Sequence, residues 1–345
     1  MDKVKFLIKC LIVLAMVFVF NYCFVADINS YTRVMMDELY KDGHIDVLFL
    51  GASHTYRTFD PEIIEEKTGL NVFNAGSSSQ QVQGSYYLLK DVYEKNGVEV
   101  VFFDVTYHML AVEGTPDKTA TYIIADYMKG LKNKYHYLWD AYGSEGVVNG
   151  TFPFLHSLNL SVSTLVEHIK REHIRNPYSY ITYDNEAYQG QGFVYSYETV
   201  AEEYEFLPRY MIEPENLLSD FAIEYLYKII AYCRDKGIKL ILVNPPMADG
   251  TLMGTEHFQL FVDRISLIAK EEGLEYWDLN LAKEGVLTLE RTDYKDEGHL
   301  NGAGAEKVSK CIGELICGDI ANPFYDTFEE KVRNNPDGTW REIWE

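Results

Sequence analysis

Residues 98–104 and 238–243 are almost uninterrupted apolar runs, each opened by a glycine at the end of the preceding segment, Gly97 and Gly237. At six or seven residues they are short for helices and the right length for strands buried on both faces. That is the situation of a parallel sheet with helices above and below it. Residues 46–50 and 274–279 add two further strands, and 71–73 a short one. Helix signals fill the intervals. Residues 61–67 follow Asp60 as a candidate N-cap, with Pro61 at the first helical position. Residues 81–95, 215–236 and 257–272 each end at a glycine, and 303–317 form a last helix. This alternation specifies an α/β fold, a three-layer α/β/α sandwich around a mostly parallel sheet.

The alternation breaks at residues 107–213, a helical and irregular insertion with helical pieces at 119–132 and 158–171. Because it follows a strand end, it is expected to cap the C-terminal edge of the sheet, where open α/β sheets bind ligands. Tyr178, Tyr180, Tyr183, Tyr188, Phe193, Tyr195 and Tyr197 crowd its second half. They suit stacking on sugar rings. Packing the insertion onto the sheet, with the phenol groups left wet, is the expected use.

The N-terminus carries a different signal. Residues 6–25 are apolar except for Lys9 and Asn21. Twenty residues at about 1.5 Å each span about 30 Å, one hydrocarbon thickness. Lys3, Lys5 and Lys9 lie at the N-terminal end, which places that end in the cytoplasm by the positive-inside rule. Residues 1–28 are therefore expected to be a single-pass membrane anchor, and 29–345 an extracytoplasmic domain joined to it by a short helix at 31–41. A cleaved signal peptide is the competing reading, but no small-x-small cleavage pattern follows the run. The net charge of −22 argues against a nucleic-acid partner, which requires clustered Lys and Arg. The five cysteines show no Cys-x-x-Cys or Cys/His metal spacing, so neither a metal nor a cofactor is expected.

Three segments carry chemistry, and each follows a strand. Gly51-Ala52-Ser53-His54 puts a serine on the sheet's C-terminal edge, with His54 beside it as a candidate pocket residue. Asn74-Ala75-Gly76-Ser77-Ser78-Ser79 is a small-residue turn that lets backbone amides approach a ligand. Asp296-Glu297-Gly298-His299 offers a carboxylate and an imidazole three residues apart, just before the last helix. A nucleophile, a base and an orienting acid form the minimum set for acyl transfer.

Taken together, these segments resemble the SGNH (GDSL-like) hydrolases. Gly51-Ala52-Ser53 is similar to the first block of that family, Asn74–Ser79 to its second and Asp296-x-x-His299 to its last, and Val243-Asn244-Pro245-Pro246 also fits. The resemblance covers residues 45–104 and 215–318. It implies a flavodoxin-like SGNH fold with Ser53 as nucleophile, His299 as base and Asp296 as the group that orients the imidazole. Oxyanion donors would be the Ser53 amide and the backbone amide where the family's second-block glycine falls, at Ser79 or Ser78, with Gly76 slightly early. The third-block Gly-x-Asn is absent, and Phe103-Asp104-Val105-Thr106-Tyr107-His108 stands in its place, which makes Tyr107 or His108 the candidate replacement donor. An anchor with an early serine and a late Asp-x-x-His is also similar to the membrane-bound branch that acylates surface polymers, as in teichoic-acid D-alanylation and exopolysaccharide O-acetylation.

The expected function is thus a membrane-anchored serine acyltransferase or esterase. It would act on O-acyl groups of a cell-surface polysaccharide or wall polymer, with a multi-pass membrane acyltransferase as a candidate partner. The alternative is a non-catalytic glycan-binding or assembly protein that keeps the fold.

Overall fold

The computed structural model describes residues 2–25, 30–111, 116–207 and 211–334. The chain opens with α1 (Asp2–Phe24) and α2 (Tyr31–Leu39), then runs β1 (Ile45–Leu50), α3 (Ser53–Thr58), α4 (Pro61–Thr68), β2 (Val72–Asn74), α5 (Val82–Asn96) and β3 (Val98–Asp104). The insertion contributes α6 (Tyr107–Ala111), α7 (Lys118–Ala125), α8 (Leu131–Thr151), α9 (Val162–Lys170), α10 (Glu172–Arg175) and the hairpin β4 (Glu186–Gly190) and β5 (Phe193–Ser196). The sandwich resumes with α11 (Asp220–Lys236), β6 (Lys239–Asn244), α12 (Asp249–Gly254), α13 (Phe258–Glu272), β7 (Glu275–Asp278), α14 (Gly302–Cys317) and α15 (Phe328–Asn334).

Five strands form one parallel sheet in the order β2-β1-β3-β6-β7. Side chains alternate across it with the period of two that a strand imposes. Val47, Phe49, Phe102, Ile241 and Val243 face Ile64 of α4 and Val308 and Ile312 of α14. Leu48, Leu50, Val101, Phe103 and Leu242 face α5, α11 and α13 through Leu88, Leu226 and Ile265. Both faces are covered, as the unbroken apolar runs require. The sheet grows outward from β1 toward β2 on one side and through β3 on the other. The crevice at their C-terminal ends is where a doubly wound sheet binds its ligand.

Caps fix the helix ends. The Asp60 side chain accepts from the Glu62 amide at 3.1 Å to start α4, Ser219 does the same for Ala222 in α11, and Asn301 for Gly304 in α14. Glycines in the left-handed conformation close α4 at Gly69 and α11 at Gly237.

The insertion departs from its expected elements for local reasons. The helical piece expected at 119–132 is split: α7 ends at Ala125, and Gly130, at the N-cap of α8, donates its amide to Asp91 of α5 at 3.2 Å. A Cβ at that glycine would stand 1.6 Å from Asp91 Oδ1. The piece expected at 158–171 starts only at Val162, because Leu158 pairs with Val25 and the Asn159 amide donates to the Phe24 carbonyl at 2.8 Å. Helices α7 and α8 pack on α5, with α7 also against α2, while β5 reaches α3 and the start of α14. Cys233 and Cys311 are buried, with burial pushing each thiol up to about 12. Trp340 and Trp344, on a charged tail that the sequence suggests packs loosely on the body, lie outside the described residues.

Candidate active site

Strand β1 ends at Leu50, and the chain turns through Gly51 and Ala52 so that Ser53 is the first residue of α3. Only glycine fits at position 51, where a Cβ would meet Thr55 Oγ1 at 2.0 Å and Asp104 Cβ at 2.3 Å. Asp104, the last residue of β3, is fully buried beneath this turn. It accepts from the Thr55 hydroxyl at 2.9 Å, the Thr106 amide at 2.9 Å and the Ala52 amide at 3.4 Å. Burial pushes its carboxyl above the usual carboxylate range, against the pull of those donors. Asn74 braces the other side, donating from Nδ2 to the carbonyls of Thr55 at 2.9 Å and Phe59 at 2.8 Å. The serine therefore rests on two buried polar side chains from neighbouring strands.

The segment between β7 and α14 brings the other two groups. Tyr294 and Leu300 pair across a tight loop, and the Lys295 amide donates to the His299 carbonyl at 3.0 Å. Within the loop, Asp296 Oδ1 accepts the amides of Gly298 and His299, both at 2.9 Å. The same carboxylate lies 2.9 Å from His299 Nδ1 through either oxygen, and His299 Nε2 lies 2.8 Å from Ser53 Oγ. Serine, imidazole and carboxylate form one continuous hydrogen-bonded line, joining residues 246 positions apart. The His54 ring stacks on His299 with centroids 4.7 Å apart and planes at 19°, holding the imidazole from its flank.

The other site residues expected from sequence fall as follows. Gly76 lies against the first turn of α3, where a Cβ would stand 3.0 Å from the Tyr56 nitrogen and 3.1 Å from the Ala52 carbonyl, and its amide donates to Asn74 Oδ1 at 3.1 Å. Ser79 sits on an exposed turn with φ of 54°. Tyr107 turns toward α13, its ring edge-on to Phe261 and its hydroxyl donating to the Met211 carbonyl at 3.3 Å. His108 is exposed on α6. As the first residue of α3, Ser53 has an amide with no acceptor inside its own helix, so that amide is open to an oxyanion.

Two charged residues missed from the sequence frame the triad. Arg57 lies four residues after Ser53 and Lys295 one residue before Asp296, and both meet Glu186 of the hairpin, at 2.6 and 3.8 Å. Glu186 also accepts from the Tyr31 hydroxyl of α2 at 2.7 Å. No local pattern marks Glu186, because its partners lie more than 100 residues away. Among the described residues, one group of three ligand-type side chains comes together: His44, Asp46 and Glu99. It is largely exposed, at the opposite end of the strands from Ser53.

No family model and no curated protein matches the chain. Solved structures with a similar course include a GDSL-like lipase from Bacteroides thetaiotaomicron, at 12% identity and a TM-score of 0.39, covering 85% of this chain and 100% of that one. Another is a protein from Desulfitobacterium hafniense assigned to the G-D-S-L lipolytic family, at 13% identity and a TM-score of 0.35, covering 79% and 99%.

Proposed function

We propose that this protein is a serine acyl-transfer enzyme of the SGNH type, held at the membrane by α1 with its N-terminus in the cytoplasm, and that it handles O-acyl groups of a cell-surface polysaccharide or wall polymer. The observation that carries the reading is the line from Ser53 Oγ through His299 to Asp296, at 2.8 and 2.9 Å. Ser53 Oγ attacks the acyl carbonyl while its proton moves to His299 Nε2. Asp296 stabilises the imidazolium, and the Ser53 amide receives the oxyanion. Collapse expels the alcohol, which takes the proton from Nε2 and leaves acyl-Ser53. A hydroxyl acceptor or water then reverses the sequence. Transfer and hydrolysis differ only in whether water is kept out of the second step.

Two features bear on the substrate. A cavity of about 240 Å³ between α2 and the hairpin is lined by Met35, Tyr56, Gly76, Ser77 and Val194, next to the Ser53 helix but with none of the three triad side chains in its lining. The Lys3–Phe24 helix is long and apolar enough to cross a membrane, which suits an acyl donor delivered by a multi-pass membrane acyltransferase. The Gly76 amide is engaged by Asn74 Oδ1 at 3.1 Å and so does not stand ready for an oxyanion. A missing donor typically costs about 2.7–4 kcal/mol of transition-state stabilisation, so turnover is slow until substrate frees that amide.

The full chain should be labelled covalently by a fluorophosphonate, and Ser53→Ala should abolish the labelling. Equal labelling of wild type and Ser53→Ala would overturn the assignment.

A further inference from the structure

Helix α9 is built inside out. Its inner face carries Thr164 and His168, both buried, while Val162, Val166 and Ile169 form an outward apolar stripe at i, i+4 and i+7, with 75%, 38% and 69% of their surfaces exposed. Leu155, Leu158 and Leu160 on the preceding segment are also exposed, as is Ile174 in α10. A helix on the surface of a water-soluble domain presents the reverse pattern.

The inner face of this segment is fastened to the end of α1. His168 Nε2 lies 3.0 Å from the Val25 carbonyl, and its ring sits edge-on to Tyr22. The Phe154 amide donates to Asn21 Oδ1 at 3.0 Å, and the Asn159 amide to the Phe24 carbonyl at 2.8 Å. Phe18 meets Phe152, and Phe20 meets Phe154. These contacts run along α1 from Phe18 to Val25, about 10 Å of helix axis. An interfacial amphipathic helix sinks its apolar face about 5–10 Å below the headgroups, so the attachment has the matching depth.

Charge agrees. Residues 151–178 hold Lys170, Arg171 and Arg175 against two glutamates, in a chain whose net charge is −22. All three cations are exposed, at the end of the apolar stripe.

We propose that α9 and the segment leading into it are a membrane-interface platform. Its apolar stripe lies in the outer boundary of the bilayer that α1 spans, and Lys170, Arg171 and Arg175 lie against anionic headgroups. The occupant of the stripe is lipid. The platform gives the domain a fixed height and orientation over the surface, which a single flexible tether would not. It rests on the anchor and is independent of the acyl chemistry.

The test uses the full chain reconstituted into vesicles of phosphatidylglycerol and phosphatidylcholine, with acyl chains brominated near the headgroup. Val166→Trp and Ile169→Trp place a fluorophore on the stripe, and Glu167→Trp places one on the polar flank. Circular dichroism verifies that each variant is folded. Over the wild-type background, stripe tryptophans should be quenched about twofold or more compared with Glu167→Trp. Replacing phosphatidylglycerol by phosphatidylcholine should reduce that quenching, and replacing Lys170, Arg171 and Arg175 by serine should remove its dependence on lipid charge. Vesicle flotation with no extra quenching on the stripe overturns the platform and leaves the anchor standing. Failure to float overturns both. A stripe shielded from bromolipid by a second copy or another protein, seen as protein cross-links at position 166, also overturns it.

Discussion

The C-terminal edge of the sheet and the insertion are held in opposite ways. At the edge, polar side chains grip nearby backbone. Asp104 takes the amides of Ala52 and Thr106, Asn74 donates to the carbonyls of Thr55 and Phe59, and Asp296 takes the amides of Gly298 and His299. The insertion is tied on by tyrosine hydroxyls that donate to carboxylates. Tyr31 reaches Glu186, Tyr178 and Tyr188 share Glu38, and Tyr87 reaches Asp140. Tyr40 binds the Asp91 that also receives Gly130 and Asn133. A side chain bound to backbone fixes the shape of a turn. A tyrosine on a carboxylate fastens two elements and leaves each its own shape.

The largest effect expected is at the edge, from a change that leaves its architecture alone. In Asp296→Asn the remaining Oδ1 still accepts the Gly298 and His299 amides, so the loop keeps its form. The acceptor that holds His299 Nδ1–H is weakened or replaced by a donor. Turnover should fall on the order of 10⁴-fold with an unchanged thermal midpoint, read by fluorophosphonate labelling rate and calorimetry side by side. A large loss of stability instead would show that Asp296 is a structural turn residue.

Next in size is the point where the two regions meet. The Asn74 amide at the end of β2 donates to the Gln191 carbonyl at the hairpin tip, at 2.9 Å. Gly192 beside it has φ of +88°, and a Cβ there would stand 1.6 Å from the Asn74 carbonyl oxygen. Gly192→Ala therefore combines backbone strain with overlap and should destabilise the chain by about 3 kcal/mol or more. Hydrogen exchange should show β4 and β5 released while β1 and β3 stay protected. Uniform loss across the sheet would mean that the hairpin is part of the core.

The two kinds of attachment also explain what could be read from the sequence. Residues 98–104 and 238–243 gave their strands directly, because an unbroken apolar run has few other ways to be buried. Ser53 was legible because it stands just past the end of β1, and the Asp296–His299 pair because a carboxylate and an imidazole lie three residues apart just before α14, well beyond the end of β7. The hairpin was hidden. Gly190-Gln191-Gly192 looks like a flexible linker, yet all three residues have positive φ and build a tight turn against β2. Tyr188 and Phe193, weighed as sugar-stacking groups, are buried at 5% and 1% exposure and pack the hairpin down. Asp104 stands in the same segment as Tyr107 and His108, the donors expected from the sequence. Its role follows from its place at the end of β3 under Gly51, which only the three-dimensional register makes visible. Glu186 has no signal at all, since three distant residues define it.

Glu186 ties the insertion to the triad, and Glu186→Gln should cost about 3 kcal/mol by leaving Arg57 and Lys295 without their shared carboxylate in a largely buried site. Burial raises the acid's pKa, but hydrogen bonds from Tyr31 and Arg57 and the charges of Arg57 and Lys295 outweigh it, so the folded value is lowered. A lowered carboxylate stabilises the fold above its unfolded pKa of about 4.3, and the contribution fades as pH falls through the folded value. Stability of the wild type should therefore drop below about pH 4 more steeply than that of Glu186→Gln. Parallel acid limbs in urea titrations of the two proteins would remove the carboxylate from this role.

The smallest effect separates the two modes of attachment most cleanly, because the edge strand β2 and the central strands β1, β3 and β6 contain no tyrosine. Burial, reinforced by the charge of Glu38 and the hydrogen bond to it, pushes the Tyr188 hydroxyl well above its ordinary value. Its stabilising bond is fully present below the unfolded tyrosine value of about 10, and it is lost as pH rises through the folded one. Between those values only the unfolded chain loses this proton, so stability falls by about 1.4 kcal/mol per pH unit for this one group. Tyr188→Phe should cost about 1.5–2 kcal/mol at neutral pH, and above pH 10 its stability should decline less steeply than wild type by that slope. Since the hydroxyl holds the hairpin and not the sheet, exchange protection should vanish first in β4 and β5 as wild type is made alkaline, with β1 and β3 following only at global unfolding. Simultaneous release of both would show that the tyrosine–carboxylate ties are part of one cooperative core with the C-terminal edge of the sheet, and the contrast between the two regions would then be one of bonding partners alone.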